Sequence, residues 1–495
     1  MSESLAGELP RRQALGTALH SPSKYLNHLA ALAAIAAISC TLAVMLLRVG
    51  YPHELEWQEG GMVAHVQRVL RGESLFVQPS LEFAPFPYPP LYTWVACAFS
   101  LVVGDELLAL RLVSMVSTVV TLILLHGLVA RETSRPLAGL VAAGLYAAAF
   151  EFGGAWFDVG RVDALALALS VAAWSRARDG GSKSAAVLVV LAGFTKQTTV
   201  LFTLPAVAVL RGRKGASPGM FLTVAVGGLA AAYGLLHLAT DGTSSWTLFT
   251  LLTDHPYLLD RVWGFWTEDL IALAPAGLGL LVLMRAEPTS LRWWCWPLVG
   301  ALVAAWLGRI HVGGYDNTLL PAALAASVAG GLAVGRCLGA VEEPVRGGLS
   351  RWLAPALVTL QVGLLSYDPR SHIPDPASLD AGELVVGVIG SVEGEVFAPY
   401  HGYLAMLAGK NPGVHAMALF DLSASEQEEE KQRLFTELRS ALSEGRYSAV
   451  LLARPEPFEP LLAERYRFER DLAPSGVLGP TTGQVLPGAR LYLRR

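Results

Sequence analysis

Residues 53–60, His-Glu-Leu-Glu-Trp-Gln-Glu-Gly, gather Glu54, Glu56 and Glu59 beside His53 a few positions after a long apolar run. Carboxylates gain nothing from lying at a membrane surface unless they are paired or used. The work they suit is proton transfer, in which a carboxylate within hydrogen-bond reach of a hydroxyl takes its proton as the oxygen attacks. Glu56 and Glu59 are three apart, on one face of any helix that includes them. Glu59 directly precedes Gly60 and Gly61, which allow close approach of a substrate. This makes Glu59 the first candidate base and Glu56 the second, with Glu54 facing elsewhere. His53 and His65 have no metal-ligand spacing. No cofactor is demanded, although a divalent cation held by Glu56 and Glu59 is compatible with the pattern.

Three further stretches could serve an anionic leaving group or a sugar. "FDVGRVDA" (157–164) carries Arg161 between Asp158 and Asp163, and "TKQTT" (195–199) carries Lys196 and Gln197. "GRIHVGGYDN" (308–317) offers Arg309, His311, Tyr315 and Asp316. Each has a plainer alternative. Arg161 can simply pair with Asp163, Lys196 can snorkel from an ordinary span, and the last group can anchor a helix at an interface.

The elements that must position these residues follow from composition. The 495 residues are 53% hydrophobic and only 16% charged, with mean hydropathy +0.45, which describes a multispanning α-helical membrane protein. The net charge of -4 points to no nucleic-acid partner. Cys40, Cys97, Cys295 and Cys337 lie in apolar segments without paired spacing, so neither a disulfide framework nor a zinc site is indicated. The run 28–49 follows Arg11, Arg12 and Lys24 and reads as a retained anchor with its amino terminus inside. Further runs lie at 109–130, 136–150, 162–175, 185–210, 220–239, 270–284, 293–308, 316–335 and 352–366.

Basic links at 131–135, 175–183, 211–214, 285–292 and around Arg336, Arg346 and Arg351 mark one side as cytoplasmic. Since basic links flank both ends of 185–210, that stretch must enter and leave on the same side. It is read as two short helices meeting at 195–199, with Lys196 toward the outer half of the bilayer, where a break is tolerated only against protein or a watery cavity. About eleven membrane segments result.

Three regions follow: a cytoplasmic tail (1–27), a transmembrane domain (28–366) with a long external loop (50–108), and an external, periplasmic domain (367–495). In the loop, 60–76 has helical periodicity, and 87–104 opens on a proline pair and reads as an amphipathic surface helix. In the tail, 382–391 reads as a buried strand, 423–445 as a helix with a Ser425–Glu428 capping box and Gly445 as its stop, and 447–454 as a second strand, giving a small α/β unit.

A long first external loop with a carboxylate near its start, "YPPLY" (88–92), "RLVS" (111–114), "GRVDALALAL" (160–169), "GFTKQ" (193–197) and "GGYDNTLLPA" (313–322) come in that order. In this order they resemble the integral-membrane glycosyltransferases of the C-type fold. The likeness, over about 28–340, is to the polyprenyl-phosphate-sugar-dependent family that includes protein mannosyltransferases and the aminoarabinose transferase. That resemblance implies an enzyme, and the Ala/Leu/Gly-rich spans without organelle signals point to the bacterial cytoplasmic (inner) membrane. Its partners would be a polyprenyl-phosphate-linked sugar donor, a glycan, lipid or protein acceptor, and the bilayer, with catalysis on the external face. The family presents an adjacent Asp-Glu pair where this chain has "EWQEG" (56–60), which leaves open whether Glu56 or Glu59 takes the catalytic position. Arg161, Asp158, Asp163, Lys196, Gln197, His311, Tyr315 and Asp316 are the expected substrate contacts. The rival class is a membrane transporter or lipid flippase, for which broken helices are also typical. No second interrupted segment corresponds to 195–199, which favours the transferase.

Overall fold

The computed structural model describes residues 8–278, 289–339, 350–454, 457–473, 476–479 and 481–495. The end of the 270–284 run, the first half of the 285–292 link and Arg346 lie outside the described residues. The chain opens with α1 (Glu8–Arg48), α2 (Glu59–Leu70), α3 (Leu91–Val103), α4 (Glu106–Thr133), α5 (Pro136–Ala148), α6 (Asp163–Arg178) and α7 (Ser182–Gly193). Among the described residues, five helices are long and apolar enough to cross a membrane: Tyr25–Arg48, Glu106–Thr133, Pro218–Ala239, Leu291–Ile310 and Asp316–Leu338. Shorter apolar helices cover Leu91–Val103, Pro136–Ala148, Ser182–Gly193, Gln197–Arg211 and Pro355–Leu364.

Local signals set these boundaries. Asp105 caps α4 by accepting from the Leu108 amide at 2.8 Å, and Pro136 sits at the first position of α5, where its missing N–H is harmless. Small residues then bring the helices together. Gly144 lies on the backbone of Ala34 and Gly139 on the backbone of α4 around His126 and Ala130, the close approach by which apolar helices gain dispersion contact where water offers no driving force.

The interruption in 185–210 is present. The helix ends at Gly193, Lys196 is extended (φ -148°, ψ 115°) and helical turns resume at Gln197. The Ser217 amide donates to Ser182 Oγ at 2.9 Å, so the pair of short helices leaves where it entered. At that end Arg178 and Arg213 both pair with Glu132, Gly212 abuts Trp293, and Gly335 abuts Thr133. The basic links therefore converge on one end of the bundle, and Lys196 lies at the other, beside the first residue of α6.

The C-terminal part holds a four-stranded sheet, β1 (Val396–Phe397), β2 (Ala449–Leu452), β3 (Tyr466–Ala473) and β4 (Ala489–Arg494), in the order β1-β2-β4-β3. β1 runs parallel to β2, and the other pairs are antiparallel, with Val450 opposite Tyr492. The stretch 382–391 is not a strand but the end of the helix Pro376–Ser391. Asp375 accepts from the Ser378 amide at 2.8 Å and Pro376 opens the helix, while Ala381, Val385 and Ile389 share one buried face at a four-residue period. Val385 and Ile389 pack on Leu451 and Leu491 of the sheet. The expected capping box is also absent. Ser425 Oγ accepts from the Gln427 amide at 3.3 Å, and the helix starts at Glu428.

Candidate functional site

The chain from the end of α1 to the start of α2 is built by its own carboxylates. Glu54 accepts from the Gly60 amide at 2.9 Å, Glu56 from Gln58 at 3.2 Å, and Glu59 from Leu55 at 2.7 Å. Amides that would otherwise be unpaired at the start of α2 are thereby satisfied. The link is not a solvated loop: Glu56 and Glu59 are each 0% exposed.

Their surroundings differ. Arg111 grips Glu59 with both arms of its guanidinium, Nε to Oε1 at 3.0 Å and Nη2 to Oε2 at 2.6 Å, and the Gly160 amide adds a bond to Oε1 at 2.7 Å. Burial pushes the Glu59 carboxyl up, but the Arg111 charge and these hydrogen bonds outweigh it and hold the group below the usual carboxylate range. Glu56 accepts through Oε2 alone, from Arg161 Nη1 at 2.6 Å and from Gln58. Its Oε1 is buried without a partner. Burial raises its carboxyl to about 7 despite the opposing charge of Arg161.

Arg161 also donates to Tyr88 Oη at 2.7 Å and lies over the rings of Tyr88 and Trp156. Trp156 is delivered by a tight turn in which Gly154 and Ala155 both take positive φ, 71° and 61°, a conformation that strains a residue with a Cβ. The ring of Tyr315 stands 5.6 Å from that of Trp156. Beside this cluster Lys196 Nζ donates to Asp163 Oδ1 at 2.6 Å, and Asn317 Nδ2 approaches the same carboxylate at 3.3 and 3.4 Å.

The expected residues thus fall into two sets. Glu56, Glu59, Arg161, Asp163, Lys196, Tyr315 and Asp316 gather around the 154–163 loop. The others are occupied. Asp158 is buried against Arg48, with Nε to Oδ2 at 2.8 Å. Gln197 Nε2 ties Pro87 O to Leu248 O at 3.2 and 3.1 Å, and His311 sits 2.8 Å from Leu252 O. Asp316, although beside the 154–163 loop, also accepts from Arg309 at 2.8 Å. Arg161 does not pair with Asp163, and Gly60 and Gly61 make room not for a substrate but for Tyr403 and Phe86. Both glutamates pair with guanidinium groups rather than with each other, and among the described residues no cluster of three or more His, Cys, Asp or Glu has metal-binding proximity. Arg48, Arg111, Tyr88, Trp156 and Asn317 join the site without having been expected there. An arginine inside an apolar run, as Arg48 is, does carry a signal in the sequence, because such a group is retained only with a partner.

A family model, dolichyl-phosphate-mannose-protein mannosyltransferase, matches residues 87–237. The structure is similar to that of ArnT from Cupriavidus metallidurans. The apo form matches at TM-score 0.55 and 13% identity, covering 92% of this chain and 97% of that one. The form bound to undecaprenyl phosphate matches at 0.56 and 12%, covering 93% and 97%. A search of curated protein sequences finds no match. The chain has the C-type glycosyltransferase fold and resembles the polyprenyl-phosphate-sugar-dependent glycosyltransferases.

Proposed function

We propose that this chain transfers a sugar from a polyprenyl-phosphate donor to an acceptor hydroxyl at the outer face of a bacterial cytoplasmic membrane, with Glu56 as the base. The observation that carries the assignment is the contrast between the two glutamates. A base needs a free lone pair, and Glu56 Oε1 has one whereas both Glu59 oxygens are occupied. In this reading Oε1 takes the acceptor proton, the acceptor oxygen attacks the anomeric carbon, and the carbon–oxygen bond to phosphate breaks. One displacement gives inversion. Glu59 acts through Glu56: its clamp by Arg111 fixes the turn that presents Glu56.

Lys196 is proposed to meet the departing phosphate. An ammonium has three donors, and Asp163 uses one; the side chain is 19% exposed. Replacing Lys196 with Met is expected to weaken donor binding about ten- to a hundredfold, the range for a hydrogen bond to a charged group, together with a fall in Tm in detergent because buried Asp163 loses its ion-pair partner. Unaltered donor affinity would make Lys196 a structural partner of Asp163 only.

What supports a transferase over a transporter or flippase is the likeness to glycosyltransferases together with a buried carboxylate held ready at the bundle end. Purified protein supplied with a panel of polyprenyl-phosphate sugars and candidate acceptors should release polyprenyl phosphate. No release from any member would remove the transferase reading. For orientation, a cysteine at exposed position Glu73 should react with an impermeant maleimide from outside the cell and one at exposed Lys214 should not; the reverse pattern would invert the proposed topology.

A further inference from the structure

Glu56 is sealed by the far end of the chain. The segment Thr481–Gly483, between β3 and β4, lies directly on the site. The Thr482 amide donates to Leu55 O at 2.9 Å, Thr482 Oγ1 accepts from Arg48 Nη1 at 3.0 Å, and Gly483 O accepts from Tyr315 Oη at 2.9 Å. Gly483 packs against the indole of Trp156. A Cβ there would stand 2.7 Å from the ring and 3.3 Å from Glu56 Cγ.

Buried polar atoms of the site and of the strap go unpaired. Glu56 Oε1, Arg161 Nε, Trp156 Nε1 and Thr481 Oγ1 all lack a partner. Orphaned buried polar groups are uncommon in folded proteins, and here they belong to Glu56, to its ion-pair partner Arg161, to the Trp156 ring against Gly483 and to Thr481 of the cover itself. A peptide strap seated by a few hydrogen bonds leaves these atoms unserved. A ligand rich in hydroxyls, each both donor and acceptor, would serve them.

We infer that Thr481–Gly483 occupies the acceptor subsite of the free protein and is displaced by a hydroxyl-bearing acceptor, which then lies on Trp156 and presents its oxygen to Glu56. The inference rests on Glu56 being the base. The C-terminal region thereby holds the subsite shut, so that water is kept from the donor until an acceptor arrives. A glycine at 483 suits this use, since any side chain would collide with Trp156 and lift the strap.

Two measurements test it without an identified acceptor. In the unmodified protein, hydrogen exchange at the Thr482 amide should proceed through local opening, at least tenfold faster than at Leu491 in the sheet. Exchange of both at one common rate would make the strap a fixed part of the fold and overturn the proposal. The second pairs Leu55→Cys with Thr482→Cys, whose amide–carbonyl contact brings their Cα atoms within disulfide reach, roughly 4.4–6.8 Å. Labelling of Glu56 by a water-soluble carbodiimide with glycine ethyl ester should fall at least tenfold in the oxidised pair and return on reduction. Equal labelling with the strap locked would show another route to Glu56 and sink the idea. Neither readout depends on sugar transfer, so a failed donor panel and a failed strap are told apart.

Discussion

Replacing Glu56 with Gln is expected to slow sugar transfer by about 10²–10⁴-fold, the contribution of a positioned general base. Expression and donor affinity should stay near those of the unaltered protein, with a modest fall in Tm in detergent because buried Arg161 loses its countercharge. The amide is isosteric, and its oxygen can still accept from Arg161 and Gln58, so the clamp geometry survives while the proton acceptor is gone. The pH dependence sharpens the test. A base works only when deprotonated, and burial lifts the Glu56 carboxyl to about 7. The rate kcat/KM should therefore rise with pH up to about 7 and level off above it, and that limb should vanish in Glu56→Gln. Near-normal turnover of Glu56→Gln would remove Glu56 from the chemistry. A limb retained in the variant would assign the titration to another group.

How far the sequence anticipates this site depends on the distance between partners. The acidic cluster, the proline pair before α3 and the break at 195–199 are legible, because each is a local departure from its surroundings. So is the grouping of the basic links, since charge marks a helix end whatever it packs against. Which of the two glutamates keeps an unpartnered oxygen is not legible. It is decided by Arg111 and Arg161, which reach them across 52 and 105 residues, and no local pattern tells which arginine leaves an oxygen free. Gly60 and Gly61 mislead for the same reason: the atoms that fill the space beside them belong to Tyr403 and Phe86. The stretch 382–391 misleads in another way. Its β-branched residues favour a strand, but Asp375 and Pro376 start a helix upstream, and the sheet then buries the helix face. Thr482 and Gly483 carry no signal at all, since a threonine and a glycine in a proline-rich tail look like any turn.

The second large effect should appear in stability. Glu59→Ala leaves the Arg111 guanidinium buried without its countercharge, and breaking a buried pair from one side costs about 3–5 kcal/mol. A marked fall in Tm in detergent is expected. Glu59→Gln should fall as well, though less, because its NH₂ would face donors from Arg111, Gly160 or Leu55. The pH dependence has a fixed sign. The folded carboxyl of Glu59 is depressed, so its stabilisation is fully present above the unfolded value of about 4.3 and is lost as pH falls through the lower folded value. Acidification below about 4.3 should lower the Tm of the unaltered protein more steeply than that of Glu59→Gln.

Transfer will drop in these variants too, because Arg111 also donates to the carbonyls of Tyr51 at 2.5 Å and His53 at 2.6 Å and so holds the turn that carries Glu56. The residual rate separates the two roles. If Glu59 positions and Glu56 reacts, the remaining activity of Glu59→Gln should keep the limb near pH 7. If Glu59 is itself the base, Glu59→Gln should keep no residual rate with that limb, and Glu56→Gln should turn over at a near-normal rate.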